Sequence, residues 1–127
     1  MSQSVKDFVK AMTSTNDLSA GPEFLAVKVD VSNDNSVVLA GASTDPIVGI
    51  IMNKPKAGAA ALVQWLGSAK ATAGGTITRG DRVTVTTGGK LVTTTTNKDV
   101  QVGIALVSAV ANDIFEVFLT GFVPMSQ

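Results

Sequence analysis

The chain of 127 residues contains no cysteine and no histidine. It therefore lacks the commonest general base, the usual zinc and copper ligands and the thiolate nucleophile. The chain thus lacks the residue types that most enzymes use, so we expect no catalytic activity, no metal and no cofactor. Without a thiol to oxidise or protect, the sequence carries no sign of its redox compartment.

Net charge is also missing. Ten basic and ten acidic residues cancel, so the chain has no basic field for a phosphate backbone and no charge run that suits an anionic membrane. No apolar run approaches the roughly 20 residues of a spanning helix, and the start MSQSVKDFVKAM lacks the apolar core of a secretory signal. We expect no nucleic-acid partner, no membrane partner, and synthesis in the cytoplasm.

Small and β-branched residues dominate the composition, with Val, Ala, Thr and Gly the most abundant and aromatic residues only 5%. From Phe24 onward, short apolar runs alternate with turn residues, as in FLAVKVDV followed by SNDNS. This pattern is typical of strands joined by tight turns. It predicts an all-β fold, a compact β-barrel or β-sandwich, and the length suits one domain.

The N-terminal segment, residues 1–22, differs from the rest. Its apolar residues fall at helix-like intervals, which indicates a short amphipathic helix. These residues are Val5, Phe8, Val9 and Met12. The polar run that ends in Gly21-Pro22 cannot continue a helix, so we divide the chain into an N-terminal arm, residues 1–22, and a β domain, residues 23–127. The arm is either a frayed end or a segment that docks on a neighbour.

A repeat runs through the β domain. When the sequence is shifted so that Asp45 falls on Asp99, DPIVGI at 45–50 matches DVQVGI at 99–104 without a gap. The same shift pairs Val29 with Val83 and Val63 with Val117. In the two units ALVQWLGSA then corresponds to IFEVFLTGF, which favours a strand over a helix in the alanine-rich stretch. The repeat predicts two related β units.

The segment GGTITRGDRVTVTTGGK, residues 74–90, contains three short glycine-containing motifs. Two resemble parts of a phosphate-binding loop, and the third is an RGD tripeptide. Asp81 stands where a phosphate-binding loop needs lysine, and its negative charge would repel the phosphate. Gly88-Gly89-Lys90 is followed by Leu91 and lacks the hydroxyl that holds magnesium. The RGD tripeptide directly precedes a strand pattern. We interpret Gly80-Asp81 and Gly88-Gly89 as turns, with positive φ at Gly80 and a local hydrogen bond from Asp81.

The remaining polar residues do not form a catalytic set. Asp113 and Glu116 lie three apart, which places them on opposite faces of a strand. Trp65 is the only tryptophan, and among Leu62, Val63 and Leu66 it is more typical of a core or interface than of a sugar-stacking platform.

The order of these segments resembles one family. VGIIMNKPKAGAAALVQWLGSAKATAGGTITRGDRVTVTTGGKLVT, followed by VGIALVSAVANDIFEVFLTG, is similar to the small decoration or cement proteins of tailed-phage capsids. A Val-Gly segment, a Lys-Pro turn, an AGG-x-I-x-x-GD hairpin, a Gly-Lys turn and a final VGIAL unit occur in the family's order. The resemblance covers about residues 46–121 and does not extend to residues 1–45.

The resemblance implies a β-rich homotrimer on the outer surface of a virion. Its partner would be the major capsid protein, whose neighbouring subunits it would bridge, and it would be made in the host cytoplasm. From the residues themselves we expect the apolar side chains of the arm, Val5, Phe8, Val9 and Met12, to contact the capsid, and Trp65 to lie in an interface or the core. The alternative is a surface-displayed ligand- or carbohydrate-binding β module with Trp65 as its platform.

Overall fold

The computed structural model describes residues 9–95 and 99–124, and strands dominate these residues. Their only helical element is a three-residue 3-10 turn, Thr87–Gly89. The strands are β1 (Val9–Ser14), β2 (Ala26–Val29), β3 (Ser36–Leu39), β4 (Ile47–Ile51), β5 (Ala60–Gln64), β6 (Gly67–Thr72), β7 (Arg82–Val85), β8 (Leu91–Thr93), β9 (Val100–Ala105) and β10 (Ile114–Pro124). The prediction of an all-β fold is confirmed.

The strands form two five-stranded sheets, one from each half of the chain. The first has the order β1-β3-β2-β4-β5 and closes into a barrel through the antiparallel pairing of β1 with β5. The second has the order β6-β10-β9-β7-β8. A parallel bridge joins Ala73, directly after β6, to Leu91 of β8. This bridge brings the two edge strands of the second sheet together.

The two sheets share one topology. If β1 to β5 are matched in chain order to β6 to β10, and the bridge between Ala73 and Leu91 is included, every strand has equivalent neighbours in both sheets. Val27 pairs with Leu39 in the first sheet, and Val83 pairs with Thr93 in the second. The predicted shift places Leu39 on Thr93. The same shift places Val27 on Asp81, which lies two positions before Val83. The predicted match of Val29 with Val83 is therefore wrong, because the turn between β7 and β8 is two residues shorter than the turn between β2 and β3.

One core cluster is confined to the first barrel, and a larger one joins the first barrel to the second sheet. Along β4, Ile51 points into the first barrel, while its neighbour Ile50 packs with the second sheet. Successive side chains of a strand face opposite sides, so β4 contributes to both clusters. The first-barrel cluster contains Leu18, Leu25, Val27, Val37, Ile51, Ala61 and Val63. The larger cluster joins Ala26, Ala40, Ile47 and Ile50 of the first barrel to the interior of the second sheet.

The predicted N-terminal helix is wrong for the residues that the structure describes. Val9–Ser14 is a strand that pairs with β5 from Val9 to Thr13 and with β3 at Thr13 and Ser14. Leu18, farther along the predicted arm, is buried in the first-barrel cluster, and its amide donates to the carbonyl of Pro55 at 2.8 Å. The boundary at residue 22 thus falls inside a packed unit. Two strand partners and a buried leucine outweigh the helical spacing of the apolar residues.

Candidate functional site

The structure describes two of the four apolar residues predicted for the arm. Val5 and Phe8 lie outside the described residues. Val9 and Met12 belong to β1, where both are half-buried, and Met12 packs against the first-barrel cluster. Met12 is therefore part of the barrel wall. A capsid contact by Val5 and Phe8 stays a prediction.

Trp65 lies in the short connection between β5 and β6. Its side chain is 40% exposed, so it is not a core residue of this chain. Gln64, the residue before it, fixes the connection, because its Nε2 donates to the carbonyls of Leu66 at 3.0 Å and Ser68 at 2.7 Å. Trp65 thus projects from a well-anchored junction between the two units, and its role in an interface stays a prediction.

The glycine-framed signals are turns, as interpreted from the sequence. Gly80 has a φ of 89°, and the Asp81 carboxylate accepts hydrogen bonds from the Thr78 amide at 2.9 Å and from the Thr93 hydroxyl at 2.8 Å. Gly88 and Gly89 have φ values of 78° and 77° between β7 and β8. Asp81 is therefore committed to the turn that starts β7.

The carboxylates stabilise turns. In the described part of the chain, no group of three or more acidic side chains is arranged to hold a metal ion. The Asp30 carboxylate accepts hydrogen bonds from the Thr15 hydroxyl, the Asn33 side chain and the Ser32 amide, which lower its pKa below the usual range. Asp45 also has a lowered pKa, chiefly because its carboxylate accepts a hydrogen bond from the Gly41 amide.

Exposed apolar side chains cluster on the outer face of the second sheet. Ile114, Glu116 and Phe118 alternate along β10 and share that face. Ile114 is 49% exposed and Phe118 47% exposed, and Leu106 lies beside Glu116, to whose carbonyl its amide donates at 2.9 Å. Ile104 of β9 is the cross-strand partner of Phe118. We call Leu106, Ile114, Glu116 and Phe118 the β10 face.

A groove of about 320 Å³ lies beside this face, where the first barrel meets the second sheet. We call it the junction groove. Its lining residues are Phe24, Met52, Gln64, Ser68, Ala69, Lys70 and Glu116. The Lys70 ammonium lies 6.0 Å from the centre of the Phe24 ring, at the limit of a cation–π contact.

Phe24 holds an unusual backbone conformation at the groove. Its φ is 55°, in the left-handed region that bulky residues rarely enter. The strand β6 holds it there, because the Thr72 amide donates to the Phe24 carbonyl at 3.3 Å and the Thr72 hydroxyl donates to the Glu23 carbonyl at 2.5 Å. Strain of this kind persists where surrounding contacts enforce it and tends to mark functional positions.

The first barrel carries an equivalent apolar position. The Met52 amide donates to the Leu62 carbonyl at 2.7 Å, as the Leu106 amide does to that of Glu116. Met52 and Leu106, which the repeat matches, are 45% and 44% exposed. Each unit therefore presents an apolar side chain at the same position of the repeat, and Met52 reaches the junction groove.

Such an arrangement suits adhesion. Exposed apolar side chains on a rigid sheet, next to a groove with one positive and one negative side chain, match the composition of a protein-binding surface. The sequence predictions did not identify Leu106, Ile114 and Phe118. A signal existed, because IFEVFL is apolar on both faces of a strand, which indicates a strand covered on both sides.

Comparisons with known proteins identify the family and the fold. A family model described as phage cement protein matches residues 24–120. The chain belongs to the phage cement protein family. Its fold is similar to a crystal structure of the head fiber gp8.5 N base in bacteriophage phi29, with a TM-score of 0.72, 15% sequence identity, and coverage of 91% of this chain and 96% of that one. Among curated proteins there was no match.

Membership of this family makes the protein a capsid-associated structural protein of a bacteriophage, located at the virion capsid. The resemblance seen in the sequence is thereby confirmed at the level of the family and the fold. In the part of the chain that the structure describes, no helix is both long enough and apolar enough to cross a membrane.

Proposed function

We propose that this protein cements the phage shell: it binds the outer surface of the capsid as a homotrimer and bridges neighbouring subunits of the major capsid protein. No catalytic step is involved. The observation that supports this proposal most is the β10 face, which exposes Leu106, Ile114 and Phe118 on a rigid sheet. The chain also belongs to the cement protein family. Water contact with such side chains is unfavourable, and covering them on a partner recovers about 25 cal/mol per Å².

A trimer would bridge neighbouring capsid subunits because it presents the same contact surface three times. A specific contact between two proteins buries roughly 800 Å² on each partner. Three copies in a trimer place three β10 faces on neighbouring subunits, and the second and third contacts then form at high effective concentration. Contacts that are weak alone thus add up to lasting attachment. Net neutrality also lets decoration molecules pack closely without mutual repulsion.

The N-terminal residues add to this attachment in our proposal. Val5 and Phe8 are the apolar residues that the predicted arm retains ahead of β1. Ordering a short segment costs conformational entropy, so its apolar side chains contribute when they find a surface. We assign them to the capsid contact together with the β10 face.

A reconstitution experiment tests the proposed function. Purified protein is added to shells of the phage that lack it, and the bound amount per capsid subunit is measured after sedimentation. We expect binding that saturates at a fixed ratio to the major capsid protein, and shells that resist heat or osmotic rupture better than undecorated ones. Binding without saturation, or saturation without added shell stability, would contradict cementing.

A second candidate function has one observation in its favour. Trp65 is 40% exposed beside Gln64, a lining residue of the junction groove, and indole rings stack on sugars. A carbohydrate-binding role predicts that the emission of Trp65, the only tryptophan, responds to host-surface oligosaccharides. A Trp65→Phe variant that still decorates shells would separate this role from cementing.

A further inference from the structure

The first barrel directs no charged side chain outwards where β1 pairs with β5. Leu62 of β5 is 41% exposed between the buried Ala61 and Val63, so it points away from the barrel interior. Its cross-strand partner Ala11 is also exposed. Lys10 pairs with the buried Val63 and therefore lies on the other side of the sheet. The other side chains that the paired residues direct outwards are Val9, Thr13, Ala60 and Gln64.

Met52 extends this outer surface to the junction groove. Its amide donates to the Leu62 carbonyl at 2.7 Å, and its side chain is 45% exposed. In the second unit the repeat places Glu116 at the position of Leu62, and Glu116 is the cross-strand partner of Lys70. The two units thus present related surfaces, of which one is uncharged and the other carries charge. We call the uncharged surface the β5 face, which consists of Ala11, Met52, Ala60 and Leu62.

We propose that the β5 face meets a second and a third copy of this chain at the threefold axis of the trimer. Side chains beside such an axis face copies of themselves, and identical charges brought together repel one another. A surface at the axis must therefore be uncharged. The β5 face meets this condition, whereas the β10 face, with Glu116, does not. This inference rests on the trimer of the proposed function, and it leaves the β10 face to the shell.

The apolar side chains supply the attraction. Leu62 and Met52 are each more than 40% exposed in the single chain, and three copies would cover them against one another. Removing apolar surface from water is favourable in proportion to its area. The small side chains of Ala11 and Ala60 beside Leu62 let the neighbouring copy approach the sheet closely. No ion pair is needed to hold the three copies together.

Crosslinking tests the contact. Because the chain has no cysteine, Leu62→Cys places a single thiol per chain near the proposed axis. A short bismaleimide, which tolerates a wider separation than a disulfide does, should join two of the three thiols of a trimer and give linked dimers on a denaturing gel. Val31→Cys is the matched control, since Val31 is 94% exposed in the turn after β2. Equal linkage of the two variants, or none of Leu62→Cys, would overturn the proposal.

A charge series tests the argument from repulsion. Leu62→Lys should raise the concentration at which half of the protein is trimeric by about tenfold or more, measured by sedimentation equilibrium. Leu62→Glu should act alike, and an equal mixture of the two variants should recover part of the association, because opposite charges then meet at the axis. Misfolded protein would not recover in this way. Val31→Lys makes the same charge change away from the β5 face and should leave association unchanged.

The outcomes separate this inference from the proposed function. If the native chain and Leu62→Lys are equally trimeric, the axis lies at another surface and this inference alone fails. If Leu62→Lys stays trimeric but no longer binds undecorated shells, the β5 face contacts the capsid, which also overturns the inference. A native chain that remains a monomer at micromolar concentration removes the proposed trimer and this inference together.

Discussion

Gly49 and Gly103 occupy equivalent positions in the two units, and both face a carbonyl oxygen of the neighbouring strand. A Cβ at Gly49 would collide with the carbonyl of Gln64, and a Cβ at Gly103 would collide with that of Phe118. Gln64 and Phe118 are themselves equivalent in the repeat. The repeat therefore preserves a close backbone approach as well as a sequence, and in each unit this approach adjoins the candidate surface.

Alanine at either glycine should destabilise the protein. The colliding atom is a backbone oxygen in a paired strand, which cannot move without breaking the ladder, so we expect Gly49→Ala and Gly103→Ala to cost about 1–3 kcal/mol each. Gly41→Ala is the control, because nothing lies within 4 Å of its Cβ position. Urea unfolding measures all three. Equal stability of the Gly41 and Gly103 variants would contradict the close approach.

Sequence patterns predicted the strands better than their ends and partners. The repeat located two units because valine and glycine recur at matching positions, and the Gly80 and Gly88-Gly89 turns were predictable from local chemistry. Val31 shows the limit. Its alternation with Val27 suggests burial, yet it is 94% exposed while Asp30 is buried. The Thr15 hydroxyl, distant in sequence, satisfies the Asp30 carboxylate, and no local pattern encodes that contact.

Truncation should distinguish residues 1–8 from those that follow. We expect deletion of residues 1–8 to leave a cooperative thermal melt, because β1 stays intact. Deletion of residues 1–20 removes β1 and Leu18 from the closed barrel. Losing one buried leucine costs about 2–5 kcal/mol, and losing a barrel strand as well should exceed a total stability of roughly 5–15 kcal/mol. Circular dichroism and melting compare the two. A folded 1–20 deletion would restore the predicted arm boundary.

The Asp30 hydrogen bonds should make stability depend on pH in the acid range. Its pKa is lowered in the folded state, so the stabilisation is complete above the unfolded pKa, about 3.9, and is lost as the pH falls through the folded value. Thr15→Val removes the largest cause. We expect it to raise the pKa of Asp30 and to lower the melting temperature at pH 7 more than at pH 3.

NMR titration of the Asp30 carboxyl and melts at both pH values provide the measurement. Thr13→Val is the control, since Thr13 lies two residues earlier in β1 and is exposed. An Asp30 pKa that is the same in the Thr15 variant and the native chain would show that the hydroxyl contact is not formed in solution.

The isolated protein should be a trimer. The family resemblance implies this state, and the single chain leaves Met52, Leu62, Leu106 and Phe118 more than 40% exposed, which is more apolar surface than a monomer needs. Sedimentation equilibrium at micromolar concentration gives the mass directly. A mass of about 13 kDa, unchanged as the concentration rises, would rule out a stable trimer and leave oligomerisation to the shell surface.

The candidate surface was only partly predictable, because it is formed by residues that are distant in the sequence. Trp65, the most conspicuous side chain in the sequence, does not line the junction groove, whereas Lys70 and Glu116, far apart in the chain, meet there through the pairing of β6 with β10. Sequence patterns report which face of a strand is apolar. They do not report which faces of two units adjoin, because that depends on how the units pack.

Aspartate at Phe118 or Ile114 should weaken attachment to shells and leave the fold intact. Both side chains are about half exposed on β10 and point away from the buried Phe115, Val117 and Leu119, so the interior is unchanged. Placing a carboxylate in an apolar contact without a partner is costly, and we expect about a tenfold loss of affinity for each, or roughly 1.4 kcal/mol. Val31→Asp is the matched control, because Val31 is also an exposed apolar residue but lies in the turn after β2.

Titration of undecorated shells, beside thermal melts of each variant, separates loss of binding from loss of fold. If Val31→Asp reduces binding as much as Phe118→Asp does, the β10 face is not the shell contact; if only the β10 variants lose binding and all three melt together, the contact is assigned.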